Sequence, residues 1–331
     1  MTRATTLRLV LPLGAALLLA GCGGAPPASL QADSTAPAAA TTTPAATATT
    51  PAAAGPVAPL TGLPVSAAVA ARPAIAVRLP VSGGVGLEQA DLVYQEWETA
   101  GLARALAVFQ SRDVAQIGPV GQVRPADPFV LPSLRPLYAN VGGASGTEGL
   151  LRAAEVTQVT SAAAFTYGAT GRTTSTAAVL AAAPAGAKPP PAVLPVAAAG
   201  DRFSTSHLGK AAKITVTPPG SAAETWTYSA TGKRWSRAGS PGVSVANLIL
   251  QTVPYKQVKL RDPDRIAQSA RVLGRGACTA VSGGTVTPCT WYKRSATAVT
   301  GYVDAASVPL RFAAGPTWIL LLPPGSKIAT G

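Results

Sequence analysis

A low-complexity segment near the start of the 331-residue chain limits which part of it can fold. Residues 22–58 consist almost entirely of Ala, Thr, Pro, Gly and Ser, and Asp33 is the only charged residue among them. Such a composition buries too little apolar surface to offset the conformational entropy that ordering costs. We therefore predict a disordered tether, with a reach between roughly 35 Å as a coil and roughly 115 Å as extended polyproline.

The residues before the tether are typical of a secretory signal peptide. Arg3 and Arg8 supply a basic start, and the apolar run that follows spans residues 9–20. This run has the length of a signal-peptide core, and it is shorter than the about 20 residues that a membrane-spanning helix needs. We therefore predict a signal peptide at residues 1–21.

The predicted signal ends in Leu19-Ala20-Gly21-Cys22, where small residues precede a cysteine. A thiol at the first mature position can carry a diacylglyceryl group, and two or more acyl chains give lasting membrane attachment. We predict lipid attachment at Cys22 and an extracytoplasmic protein anchored to the outer face of the bacterial cell membrane. The alternative is an ordinary signal peptide with an incidental cysteine.

The two other cysteines, Cys278 and Cys289, suit an oxidising compartment in which disulfides persist. Strands on either side of a Ser-Gly-Gly turn pair Val281 with Val286, which places the cysteines opposite each other at a separation that a disulfide accepts. We predict this disulfide. A metal site is the alternative, but it lacks ligands because His207 is the only histidine. We predict no metal and no cofactor.

The formal net charge of +13 favours anionic partners such as phospholipid head groups or phosphate-rich wall polymers. The basic residues are scattered, and no block of Lys and Arg alternates with aromatic residues as nucleic-acid grooves tend to require. The predicted partners are the membrane, through lipid on Cys22, and an anionic envelope polymer or envelope protein. Nucleic acid is not among them.

The remaining chain predicts an α+β protein of two domains, residues 59–180 and 201–331, joined by an Ala/Pro-rich linker at residues 181–200. The first domain mixes strands and helices. Short alternating runs, punctuated by Gly, Pro, Ser and Asp, make the second domain β-rich and antiparallel, as a sheet or a small barrel.

A hairpin is predicted in the first domain, with strands at residues 92–98 and 103–109. If Glu98 pairs with the first residue after the turn, Glu96 faces Arg104, and opposite charges are favourable cross-strand neighbours.

Two further stretches of the first domain carry candidate ligand-binding residues. The Gly/Pro-rich loop of residues 118–128 holds Arg124 and Asp127, and functional residues often occupy such loops. A salt bridge between the two that closes the turn is the alternative. Ser145 begins a capping-box pattern before a helix predicted at residues 149–155, and a helix start is also a natural anion site. The candidates are thus Glu96, Arg104, Arg124, Asp127 and Ser145.

No pattern in the sequence specifies a reaction, and we predict no catalytic residue. His207 is the only available base for a hydrolytic triad, and the chain has no Gly-x-Ser-x-Gly elbow. Paired carboxylates remain an option through Glu96, Glu98 and Asp127, since a glycosidase needs two acids that face one sugar ring.

Several motifs, in order along the chain, resemble the YerB-like family, a set of bacterial lipoproteins catalogued as a domain of unknown function. They are residues 59–64 (PLTGLP), 72–77 (RPAIAV), 86–94 (GLEQADLVY), 117–120 (IGPV) with Arg124-Pro125, 247–251 (NLILQ), 274–276 (GRG), 284–291 and 315–319 (GPTWI). The resemblance covers residues 59–328. It implies an α+β fold with an N-terminal and a C-terminal domain, and it implies that the protein is a lipoprotein. It does not indicate an activity.

The chain departs from this family at two places. Where the family continues Gly-Pro-Val-Arg-Ser-Ala-Arg, this chain has Gly118-Pro119-Val120-Gly121-Gln122-Val123-Arg124 and lacks one of two arginines. Where the family commonly carries His-Asn, this chain has Arg172-Thr173-Thr174-Ser175. The second departure weighs against an enzyme.

The leading hypothesis is therefore a non-catalytic envelope lipoprotein that binds an anionic envelope polymer or a protein partner in a cleft of the first domain. A carboxylate-based hydrolase that acts on cell-wall glycan or peptide is the first alternative. A purely structural envelope lipoprotein is the second.

Overall fold

The computed structural model of the chain describes residues 55–98, 101–143, 146–198, 201, 203–204, 208–259 and 266–331. These residues belong to one compact unit. Cys22, Ser145 and His207 lie outside the described residues, as do the predicted signal peptide and most of the predicted tether. No helix within the described ranges is long and apolar enough to cross a membrane.

The first half of this unit mixes short helices with strands. Its strands are β1 (Ile75–Pro80), β2 (Leu92–Trp97), β3 (Ala103–Phe109), β4 (Leu137–Ala139), β5 (Thr157–Val159), β6 (Thr166–Gly168) and β7 (Gly171–Thr173). Its helices are α1 (Ala67–Ala71), α2 (Asp127–Val130), α3 (Thr147–Ala153) and α4 (Thr176–Ala181), with single 3-10 turns at Leu87–Gln89, Leu131–Ser133 and Ala162–Ala164. The predicted mixture of strands and helices is confirmed.

The regular secondary structure described in the second half is all β-strand, with turns and loops between the strands. They are β8 (Gly209–Lys210), β9 (Lys213–Thr217), β10 (Glu224–Ser229), β11 (Arg234–Arg237), β12 (Ser244–Val245), β13 (Asn247–Thr252), β14 (Tyr255–Lys259), β15 (Ile266–Ala270), β16 (Gly274–Ser282), β17 (Thr285–Lys293), β18 (Gly301–Val303), β19 (Thr317–Leu322) and β20 (Lys327–Thr330). Most neighbouring strands pair antiparallel, so the predicted β-rich antiparallel half is also confirmed.

One 11-stranded sheet runs through both halves, in the order β18-β17-β16-β13-β19-β2-β3-β1-β4-β5, with β8 paired to β17. The strand that joins the halves is β19, which lies parallel to β13 on one side and to β2 on the other. Trp318 of β19 is thereby next to Val93 of β2. The two predicted domains share a sheet, and their predicted residue boundaries stay a prediction.

Both faces of the central sheet are covered. On one face lies the second sheet, in the order β12-β11-β10-β9-β20, and the rings of Trp226 and Trp318 meet edge to face at 5.2 Å. On the other face, α2 and the 3-10 turn after it bring Val130, Leu131 and Leu134 against Leu106 of the sheet. Because both faces are buried, β2 is apolar on both sides apart from two polar residues, and those two are part of the candidate site.

The register of the predicted β2–β3 hairpin is confirmed, with Glu96 opposite Arg104. The predicted start of α3 was wrong. This helix begins at Thr147, after Gly146 with a φ of 108°, and no side chain caps it. Glycine adopts such positive φ values without steric cost, so the chain turns into the helix at that residue.

The predicted disulfide is confirmed. Cys278 and Cys289 are joined, with 4.8 Å between their Cα atoms, and they lie opposite each other in the β16–β17 hairpin. The predicted pairing of Val281 with Val286 is present as well.

Candidate functional site

The centre of the candidate site is a buried arginine, Arg78, in the middle of β1. Its Nε donates to Oδ1 of Asp127 at 2.9 Å, its Nη2 donates to the same oxygen, and Nη2 also lies 2.7 Å from Oε1 of Glu96. Burial disfavours the charged guanidinium, but the carboxylates of Asp127 and Glu96 outweigh it and raise the pKa of Arg78 above its ordinary value. Arg78 is therefore a permanent buried cation that holds two acids from two other segments.

Asp127 is fully buried, and both oxygens of its carboxylate accept hydrogen bonds. Besides the two bonds from Arg78, its Oδ2 accepts from the Tyr138 hydroxyl at 2.5 Å and from the backbone N–H of Arg124 at 2.8 Å. Burial, followed by the charge of Asp127, raises the pKa of Tyr138 well above its ordinary value, so Tyr138 stays a donor. This arrangement makes Asp127 a clamp between β1, β4 and the loop that carries Arg124.

Glu96 is only partly satisfied. It is 3% exposed, its Oε1 faces Arg78, and its Oε2 has no hydrogen-bond partner among the described residues. Burial raises the pKa of Glu96 above its ordinary value, and the nearby charge of Arg78 opposes that shift.

Glu98 connects the buried group to the surface. Its Oε1 lies 2.7 Å from Nε of Arg124 and 3.7 Å from Nε of Arg104. The salt bridge considered between Arg124 and Asp127 is not formed, because the Arg124 side chain turns to Glu98 and contributes only its backbone N–H to Asp127. Arg104 stands opposite Glu96 as predicted, but Glu96 pairs with Arg78 instead.

The loop of residues 118–128 is held against β1 by its backbone. Gly121 donates its N–H to the carbonyl oxygen of Arg78 at 2.7 Å. A Cβ atom at Gly121 would lie 3.1 Å from Cβ of Arg78, closer than most such contacts, so the approach of the two segments favours glycine here. Gly121 thus lets the loop lie directly against the backbone of β1 at Arg78.

A cleft of about 410 Å³ lies beside this group, and we call it the Arg104 cleft. Its lining includes Trp97, Leu102, Arg104, Ser221, Glu224 and Arg237. Of the candidate residues named from the sequence, Arg104 lines the cleft, whereas Glu96, Arg124 and Asp127 belong to the ion-pair group behind it. Ser145 lies outside the described residues.

The far wall of the Arg104 cleft is a second ion pair, Glu224 with Arg237, at 3.0 Å between Oε1 and Nε. Glu224 also accepts from Nε2 of Gln95 at 2.7 Å and from the indole of Trp226 at 2.9 Å. Its carboxylate is therefore occupied on both oxygens.

Sequence reasoning missed two parts of this site. The role of Arg78 could have been predicted from the sequence, because Arg78 is a lone charge inside the apolar strand of residues 75–80. A buried cation needs an acidic partner. The sequence does not indicate that Glu224 and Arg237 belong to the site, because nothing near either residue in the sequence links it to the first half of the chain. Over the described ranges, no group of three or more His, Cys, Asp or Glu side chains is arranged to hold a metal ion.

Comparison with known proteins identifies the family. Residues 60–182 match the family described as "Protein of unknown function (DUF3048) N-terminal domain", and residues 214–319 match its C-terminal domain. The crystal structure of YerB protein from Bacillus subtilis is similar, with a TM-score of 0.68 and 18% identity over 83% of this chain and 99% of that chain. At that identity the likeness concerns the fold. A search of curated proteins found no match. The chain belongs to the DUF3048 family.

Proposed function

We propose that this protein is an exported envelope lipoprotein whose body binds an anionic ligand, without catalysis, in the Arg104 cleft. The proposal rests on how closely the arginines of the site are paired with carboxylates. Arg78, Arg124 and Arg237 each have a carboxylate oxygen within 3.0 Å. Arg104 lines the cleft, and its nearest carboxylate oxygen is 3.7 Å away.

The surroundings of Arg104 suit recognition of an anion on a larger ligand. Its side chain is 36% exposed, and its guanidinium forms no hydrogen bond with any described residue. A guanidinium offers a planar fork that matches carboxylate and phosphate. Trp97 and Leu102 add apolar surface to the same cleft. An anionic envelope polymer, or an acidic segment of an envelope protein, presents such groups.

The hydrogen bonds of the buried carboxylates favour binding over hydrolysis. A glycosidase needs two carboxyl groups that flank one bond, whereas Asp127 and Glu224 are occupied by internal donors. One observation supports the alternative of a carboxylate-based hydrolase. Glu96 has a free oxygen and a raised pKa, as a general acid requires. It lies 3% exposed behind the cleft, and the nearby carboxylate of Glu98 is paired with Arg124.

The test uses the full chain with Cys22→Ala, which removes the predicted lipid, and purified cell-wall material. Binding is measured by co-sedimentation at low and high salt, and the supernatant is analysed for released sugar or peptide. We expect binding that weakens with salt and that falls about tenfold in Arg104→Gln. The control Arg152→Gln removes the same charge from an exposed site on α3 and should bind like the unsubstituted chain.

Two results would overturn the proposal. Equal binding by Arg104→Gln and the control would show that Arg104 does not contact the ligand. Steady release of wall fragments, abolished by Glu96→Gln, would establish the hydrolase instead.

A further inference from the structure

The open end of the β16–β17 hairpin carries a concave surface of about 600 Å³, far along the central sheet from the strands that form the Arg104 cleft. Its lining includes Arg275, Thr290, Tyr292, Lys293, Arg294 and Ser307. Three of these residues are cationic, and none of the residues that line the surface is acidic. We call it the Arg275 surface.

The arginines of this surface are unpaired. Arg275 and Arg294 are exposed, and neither forms a hydrogen bond or an ion pair through its side chain with any described residue. This contrasts with Arg78, Arg124 and Arg237, whose charges are compensated inside the protein. Uncompensated guanidinium groups that share one concavity repel each other, and a bound anion relieves that repulsion.

Lys293 adds a third charge at the base of the surface. It is 2% exposed, its Nζ donates to the carbonyl oxygen of Ala298, and it forms no ion pair with any described residue. Burial lowers its pKa to about 8, so it is still largely protonated at neutral pH. A buried cation without a counter-ion is costly, and its field adds to that of the two arginines.

The framework around these cations is rigid. Arg275 lies opposite Tyr292 in the β16–β17 ladder, and Cys278 and Cys289 crosslink the same two strands. The turn that carries Ser307 is closed by Asp304, whose Oδ1 accepts the backbone N–H of Ala306 and of Val308 at 3.0 Å each. The backbone that carries these side chains is therefore already in place and needs little rearrangement when a ligand binds.

We propose that the Arg275 surface is a second binding site, which takes a phosphate group of a larger ligand through Arg275 and Arg294. Arginine suits the planar, bidentate recognition of phosphate oxygens, and the lining offers two arginines, a lysine and no acidic residue. The hydroxyl groups of Thr290, Tyr292 and Ser307 supply further donors for phosphate oxygens. The concavity is larger than one phosphate, so we expect the group to be carried by a lipid head group or by a phosphate polymer.

The experiment separates these two sources with two probes. The full chain with Cys22→Ala is mixed with vesicles of phosphatidylcholine and phosphatidylglycerol, or with soluble inorganic polyphosphate, and binding is titrated. The variant carries Arg275→Gln and Arg294→Gln. The control carries Arg112→Gln and Arg152→Gln, which remove the same charge from exposed positions elsewhere.

We expect the control to keep its affinity for both probes. The affinity of the variant should fall about tenfold for one or both probes. Loss for vesicles alone assigns the phosphate to a lipid head group, and loss for polyphosphate alone assigns it to a polymer. Absence of binding by the unsubstituted chain, or equal losses in variant and control, would overturn the proposal. Arg104→Gln should leave this binding unchanged, so the two sites succeed or fail separately.

Discussion

The indole nitrogen of Trp318 donates a hydrogen bond to the side-chain oxygen of Gln95 at 2.8 Å, although the two residues are 223 positions apart in the chain. The amide nitrogen of Gln95 donates in turn to Oε2 of Glu224 at 2.7 Å. Gln95 is fully buried. One side chain from the first half of the chain therefore satisfies two groups from the second half, one in the shared sheet and one in the wall of the Arg104 cleft.

Replacing Gln95 should destabilise the whole unit. Gln95→Met keeps the length of the side chain but leaves the indole N–H of Trp318 buried without an acceptor, which costs about 1–3 kcal/mol. Urea denaturation of the full chain with Cys22→Ala measures the free energy of unfolding. Gln116→Met, at an exposed position, is the control and should change stability by less than about 0.5 kcal/mol. Equal midpoints for the two variants would show that the hydrogen bond contributes nothing.

Local features of this fold were predictable because short-range geometry determines them. The turn between β2 and β3 set the register that places Glu96 opposite Arg104, and the Gly-Gly turn after Ser282 set the register that places Cys278 opposite Cys289. In both hairpins the strands are adjacent in sequence, so loop length and alternation are sufficient.

Long-range features were not predictable from the same reasoning. The apolar run of residues 318–322 indicates a buried strand, but it does not indicate that this strand enters the sheet between β13 and β2. The partners of Glu96 and Asp127 were missed for the same reason, since Arg78 reaches them from a separate strand. The β14–β15 hairpin was missed because Tyr255–Lys259 is largely polar and gives no apolar alternation.

Asp127 and Arg124 should differ sharply in their effect on stability, although they are neighbours in the same loop. Asp127→Asn removes a charge that compensates the buried Arg78, and breaking a buried pair costs about 3–5 kcal/mol. Arg124→Gln breaks a partly exposed pair with Glu98, and such pairs contribute about 0–1 kcal/mol. Chemical denaturation of both variants at neutral pH tests this. Similar losses for the two would contradict the assignment of Asp127 as the clamp.

Lys293 should make stability depend on pH in the alkaline range. Its pKa is about 8 in the folded protein, against an ordinary value of 10.5. Between pH 8 and pH 10.5 the unfolded chain binds more protons at Lys293 than the folded protein does. The free energy of unfolding therefore rises with pH across this range. Below about pH 8 both states are protonated, and the full cost of burying the charge, on the order of 3 kcal/mol, is present.

Lys293→Met should therefore be more stable than the unsubstituted chain at pH 7, and this advantage should shrink by pH 10. Free energies of unfolding at the two pH values measure the difference, in which all other titrating groups cancel. Lys256→Met, at an exposed position, should show no such change. A constant difference between Lys293→Met and the unsubstituted chain at both pH values would show that Lys293 titrates normally.

The last prediction concerns the anchor, which lies outside the described residues. A basic start, an apolar run of signal-peptide length and the sequence Leu19-Ala20-Gly21-Cys22 together predict that Cys22 carries lipid. Cells that express the unsubstituted chain or Cys22→Ala are grown with labelled fatty acid and then fractionated. The unsubstituted chain should be labelled and found with the membrane, whereas Cys22→Ala should be unlabelled, because it has no thiol at the first mature position to acylate. Cys278 and Cys289 are not alternative attachment points, since their sulfur atoms form the disulfide. Equal label in both proteins would refute lipid attachment at Cys22 and, with it, the membrane address.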